Sequence, residues 1–230
     1  MPRVFLLHGY VEDPTIFDQL VPLLPQSDRI RINLADEFQH WKPTGKINVQ
    51  KVAQYLSDRY AITADDVLIG HSMGGWIAIY MKQLTQATVI QISSWTDQRK
   101  IRLPTHRLGV LKFLLFTGIT QSRPLLRFFQ KQYPFAESFE LYKSLMEGMR
   151  RMDRRYLYWQ LQILFAEAPP LTVSPDLRIH TRRDSIIARP DEPYTEVPGD
   201  HFSLVFHPKE VAEAIRTGIY GICRTDFDYV

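Results

Sequence analysis

The sequence predicts an α/β protein: a mostly parallel sheet of about six strands, helices on both faces, and a helical cap inserted after the fourth strand. Three observations predict it. Short β-rich runs alternate with helical periodicities, one strand-to-helix junction carries Gly-x-Ser-x-Gly, and the alternation stops over 95–168 before resuming. "RVFLL" (3–7) is a compact buried-strand run, and "RIRINLA" (29–35) alternates apolar and polar residues with period two. From Val49 the positions Val52, Ala53, Leu56 and Tyr60 follow helical spacing, with Asn48 as N-cap. "DVLIG" (66–70) is the third strand, 73–84 a helix, and "ATVIQIS" (87–93) the fourth strand. Alternation of this kind calls for a parallel sheet covered on both sides.

Between 95 and 168 only helical patterns rich in aromatics are found. Leu141, Leu145, Met149, Met152, Tyr156, Trp159 and Ile163 recur at steps of three and four and predict one apolar face. Pro169-Pro170 ends the stretch; "DLRIH" (176–180) and "PYTEV" (193–197) resume the sheet, and a last helix follows Pro208. The expected organisation is a core of 1–94 and 169–230 with the cap at 95–168, one domain overall. The cap differs in charge: 13 Lys+Arg against 6 Asp+Glu, a net of +7, where the remainder carries −4. Arg150, Arg151, Arg154 and Arg155 crowd one stretch, either a solvated helix face or a docking patch for an acidic partner.

Composition narrows the function classes. The 230 residues are 45% apolar and 23% charged, and the net charge of +3 does not point to a nucleic-acid partner. A single cysteine, Cys223, excludes an internal disulfide framework and a cysteine-rich zinc site. The start runs directly into "RVFLLHG", without the pattern of a signal peptide. The longest apolar run, 108–119, contains Lys112 and is short of the ~20 residues of a membrane span. A soluble, cytoplasmic protein with no membrane span is expected.

The chemistry centres on Gly70-His71-Ser72-Met73-Gly74. A serine hydroxyl is a weak nucleophile that needs a base, an orienting acid and donors for the developing oxyanion. Glycines at a strand-to-helix turn permit the tight geometry that projects such a serine, while the next backbone N–H points into the site. With this motif in this context, the sequence resembles the α/β-hydrolase family over nearly its whole length. "FLLHGY" (5–10) is similar to the His-Gly-X segment after the family's third strand. The resemblance implies an oxyanion hole from the backbone N–H groups of Tyr10 and Met73, a structural role for His8, and a non-basic role for His71.

The resemblance also implies a base near the C-terminus, which "VPGDHFSL" (197–204) supplies as His201; His207 reads as a surface residue. His40, His106 and His180 have no supporting context. The acid is expected after the penultimate strand, at Asp184 in "LRIHTRRDSII" (177–187), although Thr181 stands where a glycine is frequent. The helix customary between the last two strands is reduced to "ARPDEP", and Asp97 in "SSWTD" is the alternative acid. Two departures leave the subfamily open. "NLADEFQHWKPTGK" replaces the Asp-x-x-Gly-x-Gly-x-Ser run of many small esterases, and residue 3 already begins what would be the family's third strand.

What the resemblance implies is hydrolysis of carboxylic esters or thioesters of small to medium acyl groups through an acyl-enzyme. No metal site and no organic cofactor has a signature. Trp95, Phe113, Phe116, Tyr156 and Trp159 are candidate pocket residues, and an acidic acyl-carrier protein is a candidate partner for the basic cap beside a free small-molecule substrate. Other chemistries of the fold, carbon–carbon bond hydrolysis or cofactor-free perhydrolysis, and a non-catalytic ligand-binding role stay as alternatives.

Overall fold

The structure, a computed structural model, describes residues 3–225, with side chains as far as 218. Cys223 lies outside the described side chains. Six strands form one sheet: β1 (Arg3–Leu7), β2 (Asp28–Ile32), β3 (Val67–His71), β4 (Thr88–Ile92), β5 (Leu177–Thr181) and β6 (Thr195–Val197). Their order is β2-β1-β3-β4-β5-β6, and every neighbouring pair is parallel. The central strands β1, β3 and β4 are largely apolar, as burial on both faces of a parallel sheet requires. The edge strands β2 (DRIRI) and β6 (TEV) carry polar residues and are partly exposed. Alternate residues serve opposite faces. Phe5, Leu7, Leu68 and Val89 join one core cluster, Leu6, Ile69, Ile90 and Ile179 the other.

The first face is covered by α1 (Leu34–Trp41), α2 (Val49–Tyr60) and α3 (Met73–Thr85). Asn48 caps α2 as predicted, its side chain accepting from the Lys51 N–H. Four helices separate β4 from β5: α4 (Leu108–Phe116), α5 (Arg123–Gln132), α6 (Phe139–Arg151) and α7 (Arg154–Phe165). They form the cap, with a small core of their own around Leu115, Leu126, Met149, Leu157 and Leu161. Short α8 (Ser203–Phe206) and long α9 (Pro208–Thr225) cover the second face.

The structure departs from the sequence expectation in three places. The strand expected over 29–35 ends at Ile32, because Asn33 accepts from the Ala35 N–H and starts α1. The single apolar face expected from Leu141 to Ile163 belongs to two helices, broken where Asp153 accepts from the Tyr156 N–H and caps α7. The last strand is three residues, Thr195–Val197, in place of the expected 193–197; the reduction of the helix between β5 and β6 is as expected. The chain leaves β1 toward β2 on one side, and β3 lies on the other. The carboxyl ends of β1 and β3 therefore flank a topological switch point, where open α/β sheets place ligands.

Candidate active site

Ser72 sits at that switch point, between β3 and α3, with φ 52° and ψ −121°. A non-glycine residue adopts such a conformation only when its surroundings over-determine it. Here the Ser72 N–H donates to the Ile92 carbonyl (3.0 Å), and its own carbonyl accepts from Gly75 N–H (3.0 Å) and Ser94 Oγ (2.7 Å). The flanking glycines are required by space. A Cβ on Gly74 would lie 1.9 Å from the Leu7 carbonyl oxygen, and one on Gly70 2.4 Å from Gly75. The turn is thus pressed against β1, and the serine is lifted toward the carboxyl edge of the sheet.

The loops after β5 and β6 deliver a buried pair. His201 Nδ1 lies 2.8 Å from Asp184 Oδ2, with both residues under 5% exposed. Asp184 Oδ1 accepts from the N–H groups of Ile186 and Ile187, each at 2.8 Å, which fixes the carboxylate in the plane His201 needs. Burial alone pushes Asp184 up, but the His201 ring and these N–H groups outweigh it and hold it below the usual carboxylate range. Burial pushes His201 down; Asp184, then Glu12 and Asp200, more than offset this and raise it. Asp97 stands elsewhere, paired with Arg99 at the start of a short turn, so Asp184 is the carboxylate that orients His201. With Nδ1 engaged, Nε2 is the ring nitrogen left to handle a proton.

Neither other histidine near the turn has a nitrogen to spare. His8 Nδ1 donates to the Gly9 carbonyl (3.0 Å) and Nε2 accepts from the Leu34 N–H (3.1 Å), so the ring pins the loop after β1 to the start of α1. His71 Nε2 faces the His201 carbonyl (2.9 Å) and must donate to it; Nδ1 faces Glu12 Oε2 (2.9 Å). A proton must lie between Nδ1 and Oε2, because two acceptors cannot face each other at that distance. The Gly9 N–H donates to the same oxygen (2.6 Å). Burial pushes Glu12 up, but His71, His201 and this N–H hold it below the usual range. Glu12, His71 and His201 each place a ligand-type atom within 4.8 Å of the others. Both His71 nitrogens and His201 Nδ1 are committed to hydrogen bonds, so the grouping is explained without a metal.

The N–H groups of Tyr10 and Met73 have no protein acceptor among the described residues. Met73 opens α3, where the first N–H groups have no intrahelical partner. Tyr10 lies between two engaged groups: Gly9 N–H on Glu12, and Val11 N–H on Gln160 Oε1 at 2.9 Å. Val11 is β-branched yet has φ 55°, a strained position that the buried Gln160 of α7 secures. Gln160 Nε2 is buried without a partner among the described residues. On the far side, Asp200 accepts from Ser138 of the cap and from the Phe202 N–H (2.9 Å), fixing the approach to His201.

A cleft of about 1080 Å³ opens between α1 and the cap. Phe38, Lys112, Phe116, Tyr156 and Trp159 are among its walls, and Glu12 is the side chain it shares with the Glu12–His71–His201 grouping; Ser72 and His201 do not line it. Of the five predicted pocket residues, Phe116, Tyr156 and Trp159 are in this wall. Trp95 is not: it is 2% exposed and stacks on Trp76 beneath α3. Phe113 is not either, being 64% exposed on α4. Glu12, Gln160 and His180 escaped sequence reasoning. His180 Nε2 lies 3.9 Å from Asp184 Oδ2, behind the acid.

A parallel sheet covered on both faces, with a strained serine turn and a buried carboxylate–imidazole pair at its carboxyl edge, defines the nucleophile-elbow class of α/β folds. The chain belongs to the alpha/beta hydrolase family, whose model matches residues 4–214. No curated protein matches the sequence. Among solved structures, the enol-lactonase from Burkholderia xenovorans LB400 is similar at 15% identity and TM-score 0.70, over 95% of this chain and 91% of that one. The hydrolase olei00960 from Oleispira antarctica gives 13% and 0.66, over 96% and 91%. A thermophilic esterase from Thermogutta terrifontis gives 15% and 0.63, over 96% and 90%. Likeness at these identities concerns the fold.

Proposed function

We propose that the chain is a serine hydrolase cleaving carboxylic esters or thioesters of small to medium acyl groups through an acyl-enzyme intermediate. The observation that carries this reading is the 2.8 Å contact of His201 Nδ1 with buried Asp184, beside a serine held at positive φ. In this reading His201 Nε2 takes the Ser72 proton as Oγ attacks the carbonyl carbon. Asp184 keeps the imidazole in the right tautomer and stabilises its charge. The N–H groups of Tyr10 and Met73 receive the oxyanion, a contribution of roughly 3–4 kcal/mol per donor. His201 returns the proton to the leaving alcohol or thiol, then activates water to release the acid and restore Ser72.

The cap over 95–168 governs the substrate, while 1–94 and 169–230 supply the chemistry. Phe38, Phe116, Tyr156 and Trp159 give the cleft apolar walls suited to an acyl chain, and Lys112 and Arg155 give it cations. No helix among the described residues is long and apolar enough to cross a membrane. A cytoplasmic setting belongs to the same reading.

Intact mass after exposure to a fluorophosphonate probe tests it. Wild type is expected to gain one phosphonyl group and Ser72→Ala none. An unlabelled, folded wild type that also fails to turn over a panel of activated esters and thioesters would remove Ser72 as the nucleophile.

A further inference from the structure

From Arg102 to Ala136 the chain has no Asp or Glu and six Lys+Arg: Arg102, Arg107, Lys112, Arg123, Arg127 and Lys131. All six are exposed, and none pairs with a carboxylate among the described residues. Interleaved with them are Leu103, Val110, Phe113, Phe116, Ile119 and Phe128, exposed by 41, 43, 64, 47, 42 and 56%. These are six of the eight large apolar side chains exposed among the described residues; the others, Leu23 and Leu84, lie outside this segment. Exposed apolar groups so concentrated mark a contact surface.

The segment is α4, a 3-10 turn (Ile119–Gln121) and α5, with both helices in contact with the turn between them. Val110, Phe113 and Phe116 recur every three residues and make one outward stripe on α4. On α5, Arg123, Arg127 and Lys131 recur every four residues beside Phe128. Phe116 and Lys112 also line the cleft, so the surface runs into its mouth.

We infer that this face of the cap docks on an anionic lipid surface, with Phe113 and Phe128 inserted among the acyl chains and the cations on the headgroups. Charge selects this occupant. A second copy in a two-fold contact would bring cations against cations, with no carboxylate in the segment to pair them. Protruding aromatics on helices that carry unpaired cations suit an interface in which apolar depth and negative charge coincide. The continuity with the cleft gives an amphiphilic substrate a route from that surface as far as Glu12. Docking stands apart from the hydrolase reading, since it does not need Ser72.

The test is sedimentation of the full chain, carrying Ser72→Ala, with vesicles of phosphatidylcholine alone or with phosphatidylglycerol added. Binding is expected only to the anionic vesicles and is expected to weaken with salt. Phe113→Ser/Phe128→Ser and Arg123→Glu/Arg127→Glu, all at exposed positions, are each expected to lower the bound fraction about tenfold or more. No binding to anionic vesicles at low salt would overturn the inference. So would binding untouched by the phenylalanine pair, or a dimer in solution that the same pair dissolves. Capture of an acidic acyl-carrier protein in place of vesicles, lost in the arginine pair, would hand the surface to that partner.

Discussion

Glu12 is the residue whose role is least visible from its neighbours in sequence and most exposed by its contacts. It adds a buried negative charge beside His201 and supports the His201 loop through His71. In the proposed mechanism His201 is the general base and must be neutral to act, so anything that raises it moves the onset of activity to higher pH. Glu12→Gln removes one of the charges that raise it and keeps the side chain's shape. The acid limb of kcat/KM against pH, measured with an activated ester, is expected to shift toward lower pH. Loss of the charged partner of His71 is expected to cost about 1–3 kcal/mol of stability. An acid limb that stays in place while stability falls would reduce Glu12 to a purely structural part. The long-range partners explain why sequence reasoning missed it. Separations of 59 positions from Glu12 to His71, and of 149 from Val11 to Gln160, leave no local pattern to read. Ser72, by contrast, announces itself because its constraint is local: the glycines and the serine occupy five consecutive positions. His201 and Asp184 were legible through chain order around that motif, and the loops after β5 and β6 bring them together.

At the level of elements, the central strands and α3 were legible because burial on both faces leaves apolar runs between turn signals, and edge strand β2 through its period-two alternation. Helix α1 was not. Its Glu37 is buried, taking hydrogen bonds from Tyr55 and Tyr60 and an ion pair from Arg59, and that buried charge masks the apolar period. Pocket membership was legible only in part, since spacing on one helix does not say which neighbour it meets: Trp95 turned inward and Phe113 outward. The contact between α3 and β1 gives a sharp prediction. Alanine in place of glycine normally stabilises a helix interior by about 1 kcal/mol. For Gly74→Ala the new Cβ would meet backbone at 1.9 Å, which overpacks a rigid junction. Net destabilisation of about 3 kcal/mol or more is expected, read by urea unfolding. A variant as stable as wild type would mean that α3 can slide off β1. The contact between α7 and the loop after β1 gives another. Gln160→Leu leaves the Val11 N–H buried without an acceptor, so the strained turn beside Tyr10 loosens. Expected is a fall in kcat of about tenfold or more, with KM for a small ester little changed, because an oxyanion donor acts mainly in the transition state. An equal rise in KM would assign Gln160 to substrate binding.

At the scale of the whole molecule, the buried histidines and carboxylates set how stability varies with pH, and they pull in different directions. His8 and His180 are lowered by burial, so the unfolded chain takes up protons at about pH 6.5 that the folded chain refuses. Their contribution is lost as pH falls below that value. For His8 the reason is concrete: a second proton would break the bond that Nε2 accepts from the Leu34 N–H. His201 is raised, so its contribution is complete below about pH 6.5 and is lost as pH rises through its folded value. Glu12, Asp66 and Asp184 are lowered, and what they contribute is present above the ordinary carboxylate range and lost as pH falls through their folded values. Taken together, thermal stability is expected to peak near neutrality, to decline first below about pH 6.5 through the two buried histidines, and to fall more steeply below about pH 4. The decline just above neutrality belongs to His201 alone among these groups, so His201→Gln is expected to flatten that limb. Because His201 also helps hold Asp184 and Glu12 low, the variant is expected to weaken the part of the acid limb that these carboxylates carry. Melting temperatures of wild type and His201→Gln between pH 4 and pH 8.5 read both limbs directly. A wild-type curve that still climbs through pH 8, or an alkaline limb that survives in His201→Gln, would mean that Asp184 does not raise His201 in the folded protein.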